Sequence, residues 1–358
     1  MVAGYTKVMQ KSGLKFLFMA DTHLGFDYPI RPRIEIRRRG QDFFDNFQRI
    51  LDHAVSTRPD FVVHGGDVFF RSLIPPKIVD LAYEALFRFA QNGIPLFIVP
   101  GNHERSRLPN SLLMSAKNIH IFDRPRTYEL QASGATIALS GFPCIRKDVN
   151  GRFAAVLTET GWEYTDADVK LLCMHQTVEG SRVSGYTFRA GRDVVSVSAI
   201  PGDFTAILSG HIHRKQILTA PNKAGPRPII YPGSIERTSF AEKDEQKGFF
   251  EIGIALDDAG VWSVNNMEFV ELPTRPMVDL EIDPDIGPQD LAACLHRKIS
   301  ALHKDSIVRL GSKGQLSESV RSMLTAPFLR SVLPPSMNYQ LRASLYTAKQ
   351  EEPVNGRK

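Results

Sequence analysis

Short apolar runs that stop abruptly in clusters of Asp, His, Asn and Gly recur along the first two thirds of the chain. Leu14 to Ala20 ends in Asp21-Thr-His23, Phe61 to Val63 in His64-Gly-Gly-Asp67, and Leu96 to Val99 in Pro-Gly-Asn102-His103. Val169 to Met174 then ends in His175, and Ala206 to Ser209 in Gly210-His211-Ile-His213. Runs of this length bounded by Gly suit buried strands, so five strands are expected to deliver five polar clusters at one end. Between them Phe43, Phe44, Phe47, Ile50, Leu51, Ala54 and Val55 fall at helical spacing, and Ile78 to Ala90 repeats the pattern. Strand and helix in alternation imply parallel pairing, with ligands gathering beyond the carboxyl ends of the strands.

The later chain changes character. Thr127 to Leu139 with a Ser-Gly turn, Pro228 to Tyr231, and Lys247 to Leu272 around Asp257-Asp-Ala-Gly260 read as antiparallel hairpins. They are expected to form a second sheet packed on the first. Pro273-Thr-Arg-Pro276 marks a boundary. Beyond it an alternating strand (Val278, Leu280 and Ile282 inward), a helix around Gln289 to His303, Ile307 to Leu310, a helix from Glu318 to Val332 and a strand from Tyr339 to Tyr346 make a small α+β module. The division is thus a domain over 1–272, a module over 273–347 and a polar tail over 348–358.

A chain of 358 residues agrees with two domains. With 42% hydrophobic and 23% charged residues it is neither disordered nor a membrane protein in composition. Lys7, Lys11 and Lys15 around the run from Leu14 to Ala20 resemble a weak signal peptide, but the run is too short for one, or for a membrane span, and reads as the first strand. Cys144, Cys173 and Cys294 form no CxxC pair, which favours a reducing, cytoplasmic setting. The net charge is only +5, yet the pI near 9.0 leans toward an anionic partner.

In an extended segment residues i and i+2 share a side, so Asp21-x-His23 and His211-x-His213 each offer two ligands to one space. With Asp67, Asn102 and His175 they supply more donors than one ion needs, in a mixture that suits manganese, iron or zinc. A shared carboxylate could bridge two such ions, the arrangement used for phosphoester hydrolysis. Taken singly, each strand-end Asp or Asn is equally well a turn residue. His53, His64, His120, His296 and His303 sit in no comparable pair and read as structural.

In order and spacing, Asp21-Thr-His23, Gly66-Asp67, Gly101-Asn102-His103-Glu104, His175 and Gly210-His211-Ile-His213 resemble the five motifs of calcineurin-like metallophosphoesterases. Leu14 to Gly25, Tyr231-Pro-Gly-Ser-Ile-Glu-Arg237 with Lys247-Gly-Phe249, and the terminal module are similar to the SbcD/Mre-eleven branch of DNA repair nucleases. The resemblance implies an α/β fold, a four-layer α/β/β/α sandwich with a small C-terminal α+β capping domain. It also implies two divalent metal ions, most commonly manganese, that cleave DNA phosphodiesters. Asp21, His23 and His213 would then hold one ion, Asn102, His175 and His211 the other, and Asp67 would bridge. His103, beside Asn102 but facing away from the metals, would contact the scissile phosphate or protonate the leaving oxygen. Glu104 would be a structural hydrogen-bonding residue. A homodimer and an SMC-like (SbcC-type) ATPase are the protein partners the resemblance raises. The chain stops soon after the capping module, however, without the further helical segment by which the family docks that ATPase. Phe70 also departs from the pattern, since many nuclease members carry His there and related phosphatases Asp.

Arg31, Arg37, Arg38, Arg189 and Arg237 follow the clusters closely enough to be candidate phosphate contacts, with Arg33, Arg39, Arg182, Arg192 and Arg214 nearby. Tyr186 and Phe188 could stack on a base or pack locally. A DNA nuclease is therefore weighed against a phosphoesterase for a nucleotide, phosphoprotein or lipid head group, and against a non-catalytic DNA-binding scaffold. The scaffold reading expects eroded ligands, and all are present.

Overall fold

The computed structural model describes residues 13–28, 39–105, 108, 116–220 and 227–345. They form two compact units that divide at Pro273 and Thr274, with Asp27, Tyr28 and Arg39 grouped with the smaller.

In the larger unit β1 (Leu14–Met19), β2 (Phe61–His64), β3 (Leu96–Ile98) and β4 (Ile119–Ile121) pair in parallel. Helix α1 (Gly40–Thr57) joins the first two of these and α2 (Pro76–Ala90) the next. The second sheet contains β5 (Arg126–Ala132), β6 (Ala135–Gly141), β7 (Val169–Met174), β10 (Ala206–Ser209), β11 (Gln216–Ala220) and β12 (Arg227–Tyr231), with β6, β7, β10 and β12 parallel. A small hairpin, β8 (Arg182–Val183) and β9 (Tyr186–Thr187), stands apart from it.

The expected assignment of strands to sheets needs correction. The strands ending at His175 and His211 belong to the second sheet, not the first. The long hairpin β13 (Gly248–Leu256) and β14 (Trp262–Glu271) instead joins the first sheet, with β13 antiparallel to β1.

Period-two alternation sorts the side chains. Phe16, Phe18, Phe61, Val63 and Phe97 of the first sheet and Ile137, Leu139, Leu171, Cys173 and Leu208 of the second share one dry core between the sheets. The outward set of the second sheet (Leu172, Met174, Ile207, Tyr231) packs with Phe153 and Leu157 of α3 (Val149–Thr158). On the far side α1 buries Phe43, Phe47, Ile50 and Leu51, and its His53 meets Glu251 of β13 at 2.6 Å. Helix, sheet, sheet and helix therefore follow in layers, as expected.

The smaller unit has its own core and three parallel strands, β15 (Met277–Ile282), β16 (Ile307–Ser312) and β17 (Asn338–Leu341). Leu280 and Ile282 pack with α4 (Leu291–Ser300), while Asp279 on the other face accepts from Arg309 (2.6 Å) and Arg342 (2.9 Å). The single helix expected from Glu318 to Val332 is two. It breaks between α5 (Glu318–Met323) and α6 (Ala326–Val332), where Thr325 caps α6 by accepting from the Phe328 N–H and Pro327 opens the new turn. The last strand is shorter than expected and gives way to a 3-10 turn at Ala343–Leu345.

No helix among the described residues is long and apolar enough to cross a membrane, and all three cysteines are free.

Candidate metal centre

The five polar clusters meet where the carboxyl ends of both sheets come together. Asp21, His23 and Asp67 leave their strands with φ of 52°, 43° and 54°, and His211 follows with 85°. Such left-handed backbone in non-glycine residues is uncommon and concentrates at functional sites. The paired ligands therefore converge through tight left-handed turns rather than through the extended pleat that the i, i+2 spacing implies.

The turns are locked across the two sheets. The Asp21 N–H donates to Gly66 O (2.9 Å) and the His23 N–H to Asp67 O (3.0 Å), while the His211 N–H donates to both Asp21 oxygens at 3.1 Å. At Gly210 a Cβ would lie 2.3 Å from Gly65 O, so the main chains of the two sheets touch there. Gly101 is equally constrained, because its Cβ would meet Asp67 Oδ1 at 2.1 Å.

Seven predicted ligands are brought into one cluster. His23 Nε2 and His213 Nε2 lie 2.8 Å apart, and Asp21 offers an oxygen to the same group. Asn102 Oδ1 sits 2.9 Å from His175 Nε2 and 2.8 Å from His211 Nδ1. Asp67 reaches both sets, with Oδ2 3.4 Å from His175 Nε2 and carboxylate oxygens grouped with Asp21 and with His23.

The far nitrogens show which nitrogens face inward. His175 Nδ1 donates to Gly65 O (2.8 Å) and His213 Nδ1 to Glu242 Oε1 (3.2 Å), which leaves each Nε2 as the nitrogen directed at the cluster. This is how metal-binding imidazoles are oriented. Two imidazole nitrogens 2.8 Å apart, with His23 Nδ1 buried and unpartnered, form a donor set that a cation fits.

The electrostatics agree. Burial raises Asp21 to about 6 against the pull of His175. Burial opposes ionisation of Asp67 too, but His175 and the other imidazoles hold it well below the usual carboxylate range. Burial disfavours charge on His175, yet Asp67 and Asp21 raise it to about 9. Burial, helped by the charge of His175, lowers His211 to about 3.

His103 requires a correction. It faces into the cluster rather than away from it, with its ring 4.8 Å from that of His23 and Nε2 3.8 Å from Asp67 Oδ2. The cause is a turn in which its N–H donates to Asp67 Oδ1 (2.9 Å) and its Nδ1 to Phe70 O (2.6 Å). A carbonyl can only accept, so Nδ1 keeps its hydrogen and Nε2 faces the site. Phe70 supports this ring at 5.6 Å and leans edge-on against Phe26 at 4.7 Å, forming an apolar wall beside His103. Glu104 accepts from Phe69 N–H (2.6 Å) and Gly101 N–H (2.9 Å), fastening the two loops that carry Asp67 and Asn102.

His64 accepts from Gly66 N–H (3.1 Å) at Nδ1 and donates to Thr22 Oγ1 (3.0 Å). Burial, then the charge of His175, lowers it from 6.5 to about 3. The unfolded chain alone takes up this proton between those values, so the stability His64 contributes is complete above about 6.5 and is lost as pH falls toward 3. In chelator, urea unfolding of the native chain should lose stability on the order of a few kcal/mol more across that window than His64→Gln does. Equal slopes would show that His64 is not held neutral.

Glu242 and Lys247 were invisible to motif reasoning about ligands. Lys247 is fully buried, and its Nζ donates to Glu242 Oε2 (2.6 Å), His213 O (2.9 Å) and Glu245 Oε2 (3.1 Å). Glu242 also accepts from Thr238 Oγ1 (2.6 Å). The signal in the sequence was a lysine directly before the apolar strand Gly-Phe-Phe. Lys247→Met should destabilise the protein by about 3 kcal/mol, because it strands a buried carboxylate. It should also weaken manganese binding about 10- to 100-fold through His213. Adding Glu242→Gln should restore stability but not affinity, as read by urea unfolding and calorimetric titration; restored affinity would show that Glu242 does not orient His213.

Arg189 is exposed just beyond β9. Arg237 is directed elsewhere: its Nε and Nη2 donate to Glu245 O (3.2 and 2.9 Å), which makes it a clamp on the loop that leads to Lys247. Arg31, Arg37 and Arg38, with Arg33, lie outside the described residues, while Arg39 is buried.

The family model for calcineurin-like phosphoesterases matches residues 14–215. The chain belongs to that family. Among curated proteins this phosphoesterase is similar to the DNA double-strand break repair protein Mre11 of Methanococcus maripaludis, 25% identical over 281 residues that cover 73% of this chain and 68% of that one. The protein of the same name from Archaeoglobus fulgidus is 27% identical over 288 residues, covering 76% of this chain and 62% of its own length. The phosphoesterase thus spans about two thirds of the length of these relatives.

Proposed function

We propose that this phosphoesterase is a metal-dependent DNA nuclease of the double-strand break repair type, with DNA as its partner. The observation that carries the reading is Asp67, whose carboxylate reaches both donor sets, which supports a role as the bridge between two cations. Asp21, His23 and His213 would hold one ion, and Asn102, His175 and His211 the other; manganese suits their mixture of carboxylate, amide and imidazole. When bound, such ions polarise a phosphoryl oxygen and stabilise the charge that develops in displacement at phosphorus. The protein's own residues do the rest. Gly65 O and Glu242 hold the imidazoles in the correct tautomer, Glu104 fixes the loops, and His103, once it carries a proton on both ring nitrogens, would give the Nε2 proton to the leaving oxygen and keep the one on Nδ1. The likeness to the Mre11 proteins supports DNA over other phosphoesters, and the free thiols accord with a cytoplasmic setting.

Phe70 puts an apolar ring where another polar contact to the substrate would sit, so a small phosphoester is the competing reading. The test is hydrolysis with manganese of single-stranded, duplex and hairpin DNA beside a generic phosphodiester. Faster turnover of DNA is expected. A rate on the generic diester that exceeds the rate on every DNA would favour the small substrate.

A further inference from the structure

The β8–β9 hairpin is held from below and bare above. Val183 and Phe188 pack on the core beneath the second sheet, and the hairpin closes through Phe188 N–H to Ser181 O (2.9 Å) and Gly180 N–H to Phe188 O (2.8 Å). Tyr186, by contrast, is 57% exposed and stands edge-on over Phe188 at 5.1 Å and 88°. A ring supported from beneath loses little freedom when something is laid against it.

The hairpin is also tied to the metal centre. The Gln216 side chain accepts from Arg182 N–H (2.7 Å) and donates to Arg182 O (2.9 Å) and Arg214 O (3.3 Å). Arg214 follows His213 directly, so the exposed ring shares a frame with a candidate ligand. Arg182 and Arg189 are exposed on and just after the hairpin and Arg214 is exposed on the segment that Gln216 joins to it, whereas Arg192 faces Asp148 at 3.4 Å. An exposed aromatic face on a hairpin that carries exposed arginines matches single-stranded nucleic acid, in which bases stack and phosphates follow at short intervals.

We propose that this hairpin is a stacking platform for an unpaired nucleotide of the DNA substrate, with Tyr186 as the stacking ring and Arg182, Arg189 and Arg214 as contacts to the flanking phosphates. The inference rests on the DNA reading and adds that the enzyme engages unpaired strands.

The experiment measures fluorescence anisotropy of a labelled single-stranded oligonucleotide and of a duplex of equal length, in chelator so that neither is cut. Tyr186→Ala should weaken single-strand binding about tenfold and leave duplex binding nearly unchanged. Tyr186→Phe should bind as the native protein does. Arg189→Gln should reduce the salt dependence of single-strand binding by about 0.7 in slope. Manganese binding, measured separately by calorimetric titration, should be unaltered in all three variants, a check that the centre is intact. Unchanged binding by Tyr186→Ala, or equal loss on both DNAs, would overturn the platform while leaving the nuclease reading in place. Failure of the native protein to bind either DNA would overturn both.

Discussion

Replacing His103 by asparagine should lower the rate of DNA cleavage about 10²- to 10⁴-fold while leaving the metal content unchanged. The geometry sets this expectation. Nδ1 is committed to Phe70 O at 2.6 Å, so only Nε2 can exchange a proton with a substrate, and it lies 3.8 Å from Asp67 Oδ2. A group that gives its proton to a departing oxygen matters most when that oxygen is a poor leaving group. The loss on a p-nitrophenyl diester should therefore be much smaller than on DNA. Equal losses on both substrates would reassign His103 to phosphate binding. Because its ring nitrogen also groups with His23 and Asp67 as a possible ligand set, elemental analysis is decisive: loss of an ion from the variant would make His103 a ligand.

Asp67→Asn should reduce the bound manganese from two ions per chain to one or none. One neutral amide cannot replace a carboxylate that serves two donor sets. Losing several kcal/mol of stabilisation at the reacting phosphoryl group corresponds to roughly 10³-fold or more in rate. Stability supplies a second readout that does not depend on turnover. Manganese at a hundred times its dissociation constant should stabilise the native chain by about 2.7 kcal/mol for each ion bound, and most of this increment should vanish in the variant. Retention of two ions by Asp67→Asn would remove it from the bridging position.

The strands that end in polar clusters were legible because each apolar run stops at a Gly, Pro, Asp or His. The helices were legible from their spacing. Which sheet each strand joins was not, since nothing local in Lys247 to Leu272 says that β13 will lie against β1. The left-handed turns at Asp21, His23 and His211 were hidden for a related reason: they are imposed by hydrogen bonds to residues far away in sequence, such as Gly66 and Asp67. The same distance hid the direction of His103, which hydrogen bonds to Asp67 and Phe70 decide. Ligand identities follow from residue type and order, but the support that Glu242 and Lys247 give His213 does not, since only the fold brings them together. In the smaller unit the break at Thr325 was available in the sequence, because a threonine two residues before a proline is a capping signal.

The contact between Gly65 and Gly210 makes the centre a gauge whose setting is backbone rather than side chain. The first sheet brings Asp21, His23, Asp67 and Asn102, and the second brings His175, His211 and His213; their separation is fixed where the two main chains touch. Substitutions that loosen the core between the sheets should then cost stability without changing the spacing of the ligands. A single methyl group at Gly210 should do the reverse, prising the ligand sets apart in a protein whose core is untouched.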